Sequence, residues 1–143
     1  IPFELITDNQ MRNEIIGLLN VEFGSDTNYS EQFINDTWSG ANVFYVMTSV
    51  DKSKYYGTVA VDRKNFYPYI SQLYIVEDER CRNLARHLIN FANRYIKSLN
   101  FSQSRLWCEN KLVNYYSMLG WNYEGKQKNL NMLIISEITR ITL

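Results

Sequence analysis

The residues from about Arg82 to Leu99 constrain this chain more than any others. Leu84, Leu88, Ala92, Tyr95, Ile96 and Leu99 recur at helical spacing, which lines them along one face of an α-helix and leaves charged and amide residues on the other. Such a helix has to bury its apolar stripe against a neighbouring element. The preceding segment supplies one, because Tyr69 to Val76 is rich in β-branched and aromatic residues and reads as a strand that runs into the helix without a glycine break. A strand-to-helix junction of this kind presents several backbone N–H groups at the positive end of a helix, a generic site for a phosphate or diphosphate.

The remaining elements follow from the same kind of reading. Phe3 to Ile6 is expected as a short strand, and Thr7 with Gln10 as a capping box for a helix carrying Met11, Ile15, Ile16, Leu18 and Leu19. After a polar loop from Gly24 to Tyr29, Ser30 can cap a short helix that buries Phe33, Ile34 and Trp38 and ends at Gly40. Val43 to Thr48 and Tyr55 to Asp62, separated by the polar turn Ser49 to Lys54, form a hairpin pattern. Arg105 to Cys108 is a short strand, Leu112, Tyr116 and Leu119 mark a helix closed by Gly120, and Trp121 to Gly125 and Leu130 to Leu143 supply the last strands. Strands interleaved with helices in this order give an α/β chain, a mixed sheet covered by helices.

A chain of 143 residues with 45% hydrophobic residues can bury one core without staples, and no linker or repeat divides it, so residues 1–143 read as a single domain. Lys plus Arg equals Asp plus Glu at 15 each, so no global field draws in nucleic acid or an anionic membrane, and a charged ligand needs a local patch. Cys81 and Cys108 are too few and too far apart for a zinc motif, and His87 is the single histidine, so no metal is expected. The absence of a long apolar run and of a signal-peptide pattern leads to the expectation of a cytoplasmic protein with no membrane partner.

Two motifs carry a more specific meaning. Arg80-Cys81-Arg82-Asn83-Leu84-Ala85 follows a strand and opens the long helix, and it resembles the Arg/Gln-x-x-Gly-x-Gly/Ala motif of GNAT N-acetyltransferases. Arg80 and Ala85 match the first and last positions, Leu84 fits the usual aliphatic residue, and Asn83 stands where the central glycine is expected. Asn is the non-glycine residue most often tolerated at positive φ, so the turn can survive the replacement. Downstream, Asn110 to Trp121, read NKLVNYYSMLGW, resembles the family's Asn, a short helix with Tyr, then Leu-Gly-aromatic. With the first strand and two helices included, the resemblance spans nearly the whole chain.

The resemblance implies a GNAT-like fold, with a mostly antiparallel mixed sheet of about seven strands flanked by about four helices, and acetyl-CoA as co-substrate. Leu73 and Ile75 would pair with the pantetheine arm through their main chains, where two strands splay. The backbone from Cys81 to Arg86 would hold the diphosphate, with Arg80, Arg82 and Arg86 adding charge, and Asn110 belongs to the same binding set. Tyr116 falls on the family's general-acid tyrosine, and the N–H of Ile75 would meet the oxyanion. The acceptor implied is a primary amine of a small molecule or a protein, attacking directly in a ternary complex. Glu109, the carboxylates Glu77-Asp78-Glu79, and Glu22 or Asp26 are candidate bases, and Phe23 and Tyr29 candidate acceptor contacts.

Blander readings stand beside these. Tyr116 on an apolar helical face is ordinarily a core residue, and the arginines ordinarily a solvated helix start. Cysteine catalysis lacks a histidine partner, since His87 lies on the long helix, and Trp38, Trp107 and Trp121 read as core or edge aromatics. The alternatives to a transferase are a catalytically degenerate GNAT-fold module that binds acyl-CoA or a partner, motivated by Asn83, and a nucleic-acid-binding α/β domain resting on the arginine cluster. Edge pairing through the C-terminal strand would give a homodimer.

Overall fold

Alternate residues of the central strands point to opposite sides of one sheet, and the helices divide themselves between those sides. The computed structural model of the protein describes residues 1–25, 27–64, 67–80, 82–127 and 130–136. Within them lie six strands, β1 Val43–Thr48, β2 Tyr55–Lys64, β3 Tyr67–Ile75, β4 Gln103–Cys108, β5 Asn122–Gln127 and β6 Leu130–Ser136. They form one sheet in the order β1-β2-β3-β4-β6-β5, in which β3 against β4 is the parallel pair and the other neighbours are antiparallel. Four α-helices complete the frame, α1 Asn9–Phe23, α2 Glu31–Thr37, α3 Leu84–Ser98 and α4 Val113–Met118.

The two layers are visible in three consecutive residues of β2. Val59 and Val61 pack into a core with Leu88, Ile89, Ala92 and Ile96 of α3, together with Leu106, Trp121 and Leu133. Ala60, between them, joins the opposite core with Phe3, Ile15, Leu19, Ile34, Trp38 and Phe44 under α1 and α2. Each large side chain buried in this way contributes roughly 1.5–3 kcal/mol, so α3 is held chiefly by its apolar stripe. A polar contact is buried with it. Asn93 is fully buried on the same stripe, and Ser104 Oγ of β4 donates to its Oδ1 at 2.8 Å, which fixes where the helix sits along the sheet.

The N-terminal segment departs from expectation. Phe3–Leu5 is a turn of 3-10 helix rather than a strand, and the ladder-like contacts stop before it, with Ile1 and Val46 exchanging backbone hydrogen bonds at 2.9 and 2.7 Å and a bridge between Pro2 and Tyr45. Proline removes a donor that a strand would use, and Arg12 gathers the carbonyls of the turn, with Nη1 at 3.0 Å from Phe3 O and 2.5 Å from Ile6 O. The sheet therefore has six strands among the described residues instead of about seven. The cap of α1 is also displaced by one residue. Asp8, not Thr7, accepts from the N–H groups of Gln10 and Met11, at 2.9 and 3.3 Å, and a carboxylate there also answers the helix dipole. The long helix begins at Leu84 rather than Arg82, and the expected strand beyond Ser136 lies outside the described residues.

Candidate active site

The parallel neighbours β3 and β4 share a single register pair, Tyr69 with Arg105. Toward their C-terminal ends the backbones are not paired with each other, and the reason lies in β3. Opposite β2, Tyr74 faces Thr58 and Ser71 faces Ala60, so Gln72 and Leu73 together stand against Val59 alone. This extra residue is a β-bulge, which bends the strand and increases its twist. Gln72 takes φ 47° at the bulge, an uncommon conformation for a residue with a side chain. Two contacts hold it there: Thr58 Oγ1 donates to Gln72 O at 2.9 Å, and Gln72 Nε2 donates to the Tyr29 hydroxyl at 3.1 Å.

The direction of the free backbone follows from one bond. Val76 N–H donates to Tyr56 O of β2 at 2.8 Å, so strand alternation turns the main-chain groups of Ile75 the other way, toward β4. Tyr74 again faces β2, which turns Leu73 toward β4 as well. β2 itself comes unusually close here, because a Cβ on Gly57 would lie 2.4 Å from Tyr74 O. The bulged strand is thus anchored on its β2 side and unpaired on its β4 side.

Beyond β3, a short 3-10 turn at Glu77–Glu79 leads into α3. Asn83, the N-cap, has φ 59° and ψ 21°, the left-handed conformation, and its side chain makes no capping hydrogen bond. His87 N–H reaches Asn83 O at 3.2 Å, so the amides of Leu84, Ala85 and Arg86 belong to the first turn, which has no intrahelical acceptors. The three arginines serve different ends. Arg80 Nε donates to Ile75 O at 3.0 Å, with its guanidinium 5.5 Å from the Tyr74 ring. Arg82 pairs with Glu79, a buried carboxylate that also has Lys54 Nζ at 3.6 Å. Arg86 is exposed; burial pushes the Tyr115 hydroxyl up, and the Arg86 charge opposes that rise. Two of the three therefore stitch the loop together instead of standing free. Cys81 lies outside the described residues.

Across the divide, Tyr116 of α4 is buried, edge-on to Tyr115 at 5.3 Å and to Trp121 at 6.3 Å between ring centroids. Burial, then the neighbouring Cys108 and Tyr115, hold its hydroxyl far above the usual tyrosine range, so it stays protonated. Cys108, at the end of β4, is buried too, and burial followed by the Glu109 charge pushes its thiol up, the opposite of what a nucleophilic cysteine needs. Asn110 starts the 3-10 turn after β4, and its Oδ1 accepts from Asn131 Nδ2 at 2.6 Å. Asn131 Nδ2 also lies 3.3 Å from Cys108 O, so one buried amide on β6 positions the start of the turn that leads to Tyr116.

Leu73, Ile75, the first turn of α3, Asn110 and Tyr116 thus lie on the elements bordering one split in the sheet. The candidate bases do not converge. Glu79 is taken by Arg82 and Lys54, Glu109 lies 3.5 Å from Lys111 Nζ, and Glu22, Glu77 and Asp78 are exposed. Asp26 lies outside the described residues. Tyr29 is buried against Gln72, whereas Phe23 is half-buried on the core under α1 and α2. Sequence reasoning missed Gln72 and Asn131. Asn131 left a trace, as an amide interrupting the apolar run from Leu130 to Ile135; Gln72 left none.

Among the described residues no group of three His, Cys, Asp or Glu side chains is placed to hold a metal ion, and no helix is long and apolar enough to cross a membrane. No family model matches the sequence, and no curated protein matches it. Solved structures do. An aminoglycoside 6'-N-acetyltransferase complexed with coenzyme A is similar with a TM-score of 0.74 at 10% identity, over 90% of this chain and 92% of that one. A GNAT-family acetyltransferase from Staphylococcus aureus Mu50 gives 0.67 at 14% identity over 90% and 94%. Mutant forms of the spermidine/spermine N-acetyltransferase SpeG from Vibrio cholerae give 0.67 at 20% identity over 87% and 88%. The likeness covers nearly nine-tenths or more of each chain, and this protein has the GNAT acetyltransferase fold.

Proposed function

We propose that the protein is an N-acetyltransferase that moves the acetyl group of acetyl-CoA to a primary amine of a small molecule or a protein. The observation that carries this reading is the split between β3 and β4, with the main chain of Leu73 and the N–H of Ile75 left unpaired by β4, Ile75 O being held by Arg80, and an uncapped helix start directly beyond. A ligand with amides along a thin arm can add to such an edge as a strand does, and an anion at its far end meets the amides of Leu84, Ala85 and Arg86. Asn83 fits this role, since it holds the left-handed conformation without glycine.

In the reaction a neutral amine nitrogen attacks the thioester carbon, the new C–N bond forms, and the C–S bond breaks. The acceptor, with an ammonium pKa near ~10.4 if lysine-like, first loses a proton to solvent or a carboxylate. The Ile75 N–H faces the side where oxyanion charge develops. Tyr116 supplies a hydrogen bond to the departing sulfur. Because a thiol titrates near ~8.5, far below this buried phenol, Tyr116 assists as a donor, and the proton that the attacking nitrogen sheds as the amide forms passes through solvent to the thiolate.

A catalytically degenerate module that binds acyl-CoA is the second reading, favoured by the engagement of Arg80 and Arg82 with protein partners. Two measurements separate the readings. Acetyl-CoA at about 100 times its dissociation constant should stabilise the fold by ~2.7 kcal/mol in a thermal-shift titration, and no shift with any acyl-CoA rejects both. Release of free CoA with a panel of primary amines then supports the transferase, and binding without release supports the module.

A further inference from the structure

On the side of α3 that faces β1, a groove of about 500 Å³ runs between the helix and the strand. Leu84, Leu88 and Phe91 form one wall, Tyr45 and Met47 the other, with His87 and Arg94 along the same helical edge. The volume lies in the range of small-molecule pockets, which are apolar with a few placed polar groups. Phe91 meets Tyr45 edge-on, ring centroids 4.6 Å apart at 82°, yet remains 38% exposed.

Charge decides what such a groove takes. No carboxylate lines it, and among the described residues neither the His87 nor the Arg94 side chain has a hydrogen-bond or ion-pair partner. A separation of seven residues puts the two roughly 10 Å apart along the helix. Arg82, over the Tyr56 ring at 5.8 Å, is already paired with Glu79, so Arg94 is the guanidinium that the groove offers. A cationic ligand is repelled here, and a neutral one leaves the Arg94 fork unused. We propose that this groove is a second small-molecule site, taking an organic carboxylate with a flat apolar body: the ring packs against Tyr45, Met47 and Phe91, and the carboxylate meets Arg94, a donor geometry that suits it. The site is separate from the split and stands whether or not the transferase reading does.

Naphthylacetate and its neutral twin naphthylacetamide test the proposal by calorimetric titration of the full chain without acetyl-CoA. Saturable binding of the carboxylate, about ten-fold tighter than the amide, is expected, together with about ten-fold loss of carboxylate affinity in Arg94→Gln and weakening of both probes in Phe91→Ala. Circular dichroism checks that both variants fold. Equal affinity for the two probes, unchanged carboxylate affinity in Arg94→Gln, or no saturable binding overturns it.

Discussion

The two edges of β4 differ sharply. Toward β6 it is paired without interruption, from Gln103 opposite Ser136 to Cys108 opposite Asn131, whereas toward β3 it shares one register pair. The same six residues serve both edges, so their β propensity cannot explain the difference. The partner explains it: β6 runs straight alongside, and β3 is bent by the Gln72 bulge. One edge stabilises the sheet, and the other leaves backbone groups for a ligand.

Four changes should break or sharpen this contrast. The largest effect belongs to the paired side. Leu133, fully buried on β6 opposite Leu106, should cost about 2–5 kcal/mol of stability as Leu133→Ala in denaturant unfolding; a loss below about 1 kcal/mol means that side is not the sheet's anchor. Deleting Gln72 should come next. Removing the extra residue restores regular alternation in β3, straightens the strand and closes the split, so the ~2.7 kcal/mol acetyl-CoA shift disappears while the fold persists by circular dichroism. A retained shift would show that the bulge does not make the site.

Tyr116→Phe should lower kcat by about 10–100-fold with acetyl-CoA affinity nearly unchanged, and wild-type turnover removes Tyr116 from the mechanism. The same phenol has a stability signature. Burial raises Tyr116 in the folded state, so above about pH 10 the unfolded chain loses a proton that the folded protein keeps, and stability falls as pH rises. Tyr116→Phe should flatten that alkaline limb in pH-dependent melting; an unaltered slope contradicts the burial effect. The smallest change is expected for Asn83→Gly. Relief at φ 59° favours the turn by no more than about 1 kcal/mol, and acetyl-CoA affinity should hold or improve slightly, whereas a large loss shows that the Asn83 side chain itself contacts the ligand.

Much of this was legible in local patterns. The stripe from Leu84 to Ile96, the hairpin of β1 and β2, and the Gly120 terminus of α4 all express periodicity or turn chemistry within a few residues. The positions of Arg80 to Arg86 and Tyr116 came from two motifs in order. The split did not. It depends on register between β3 and β4, some 30 residues apart, and on a bulge whose supports, Thr58 and Tyr29, come from a neighbouring strand and a distant loop. Nor could the arginines be sorted, because Arg82 pairs with a buried Glu79 that also has Lys54, just before β2, beside it.

The sequence by itself determined the main helices and strands, though not the N-terminal turn, which faces are apolar, and that a strand feeds a long helix whose start can face an anion. Those are properties of neighbours along the chain, set by side-chain spacing and backbone preference. Only the tertiary structure decided where the sheet opens, which cations remain free, and which buried amides position Tyr116 and α3. Pairing, desolvation and counter-charge arise between residues that the chain brings together only on folding.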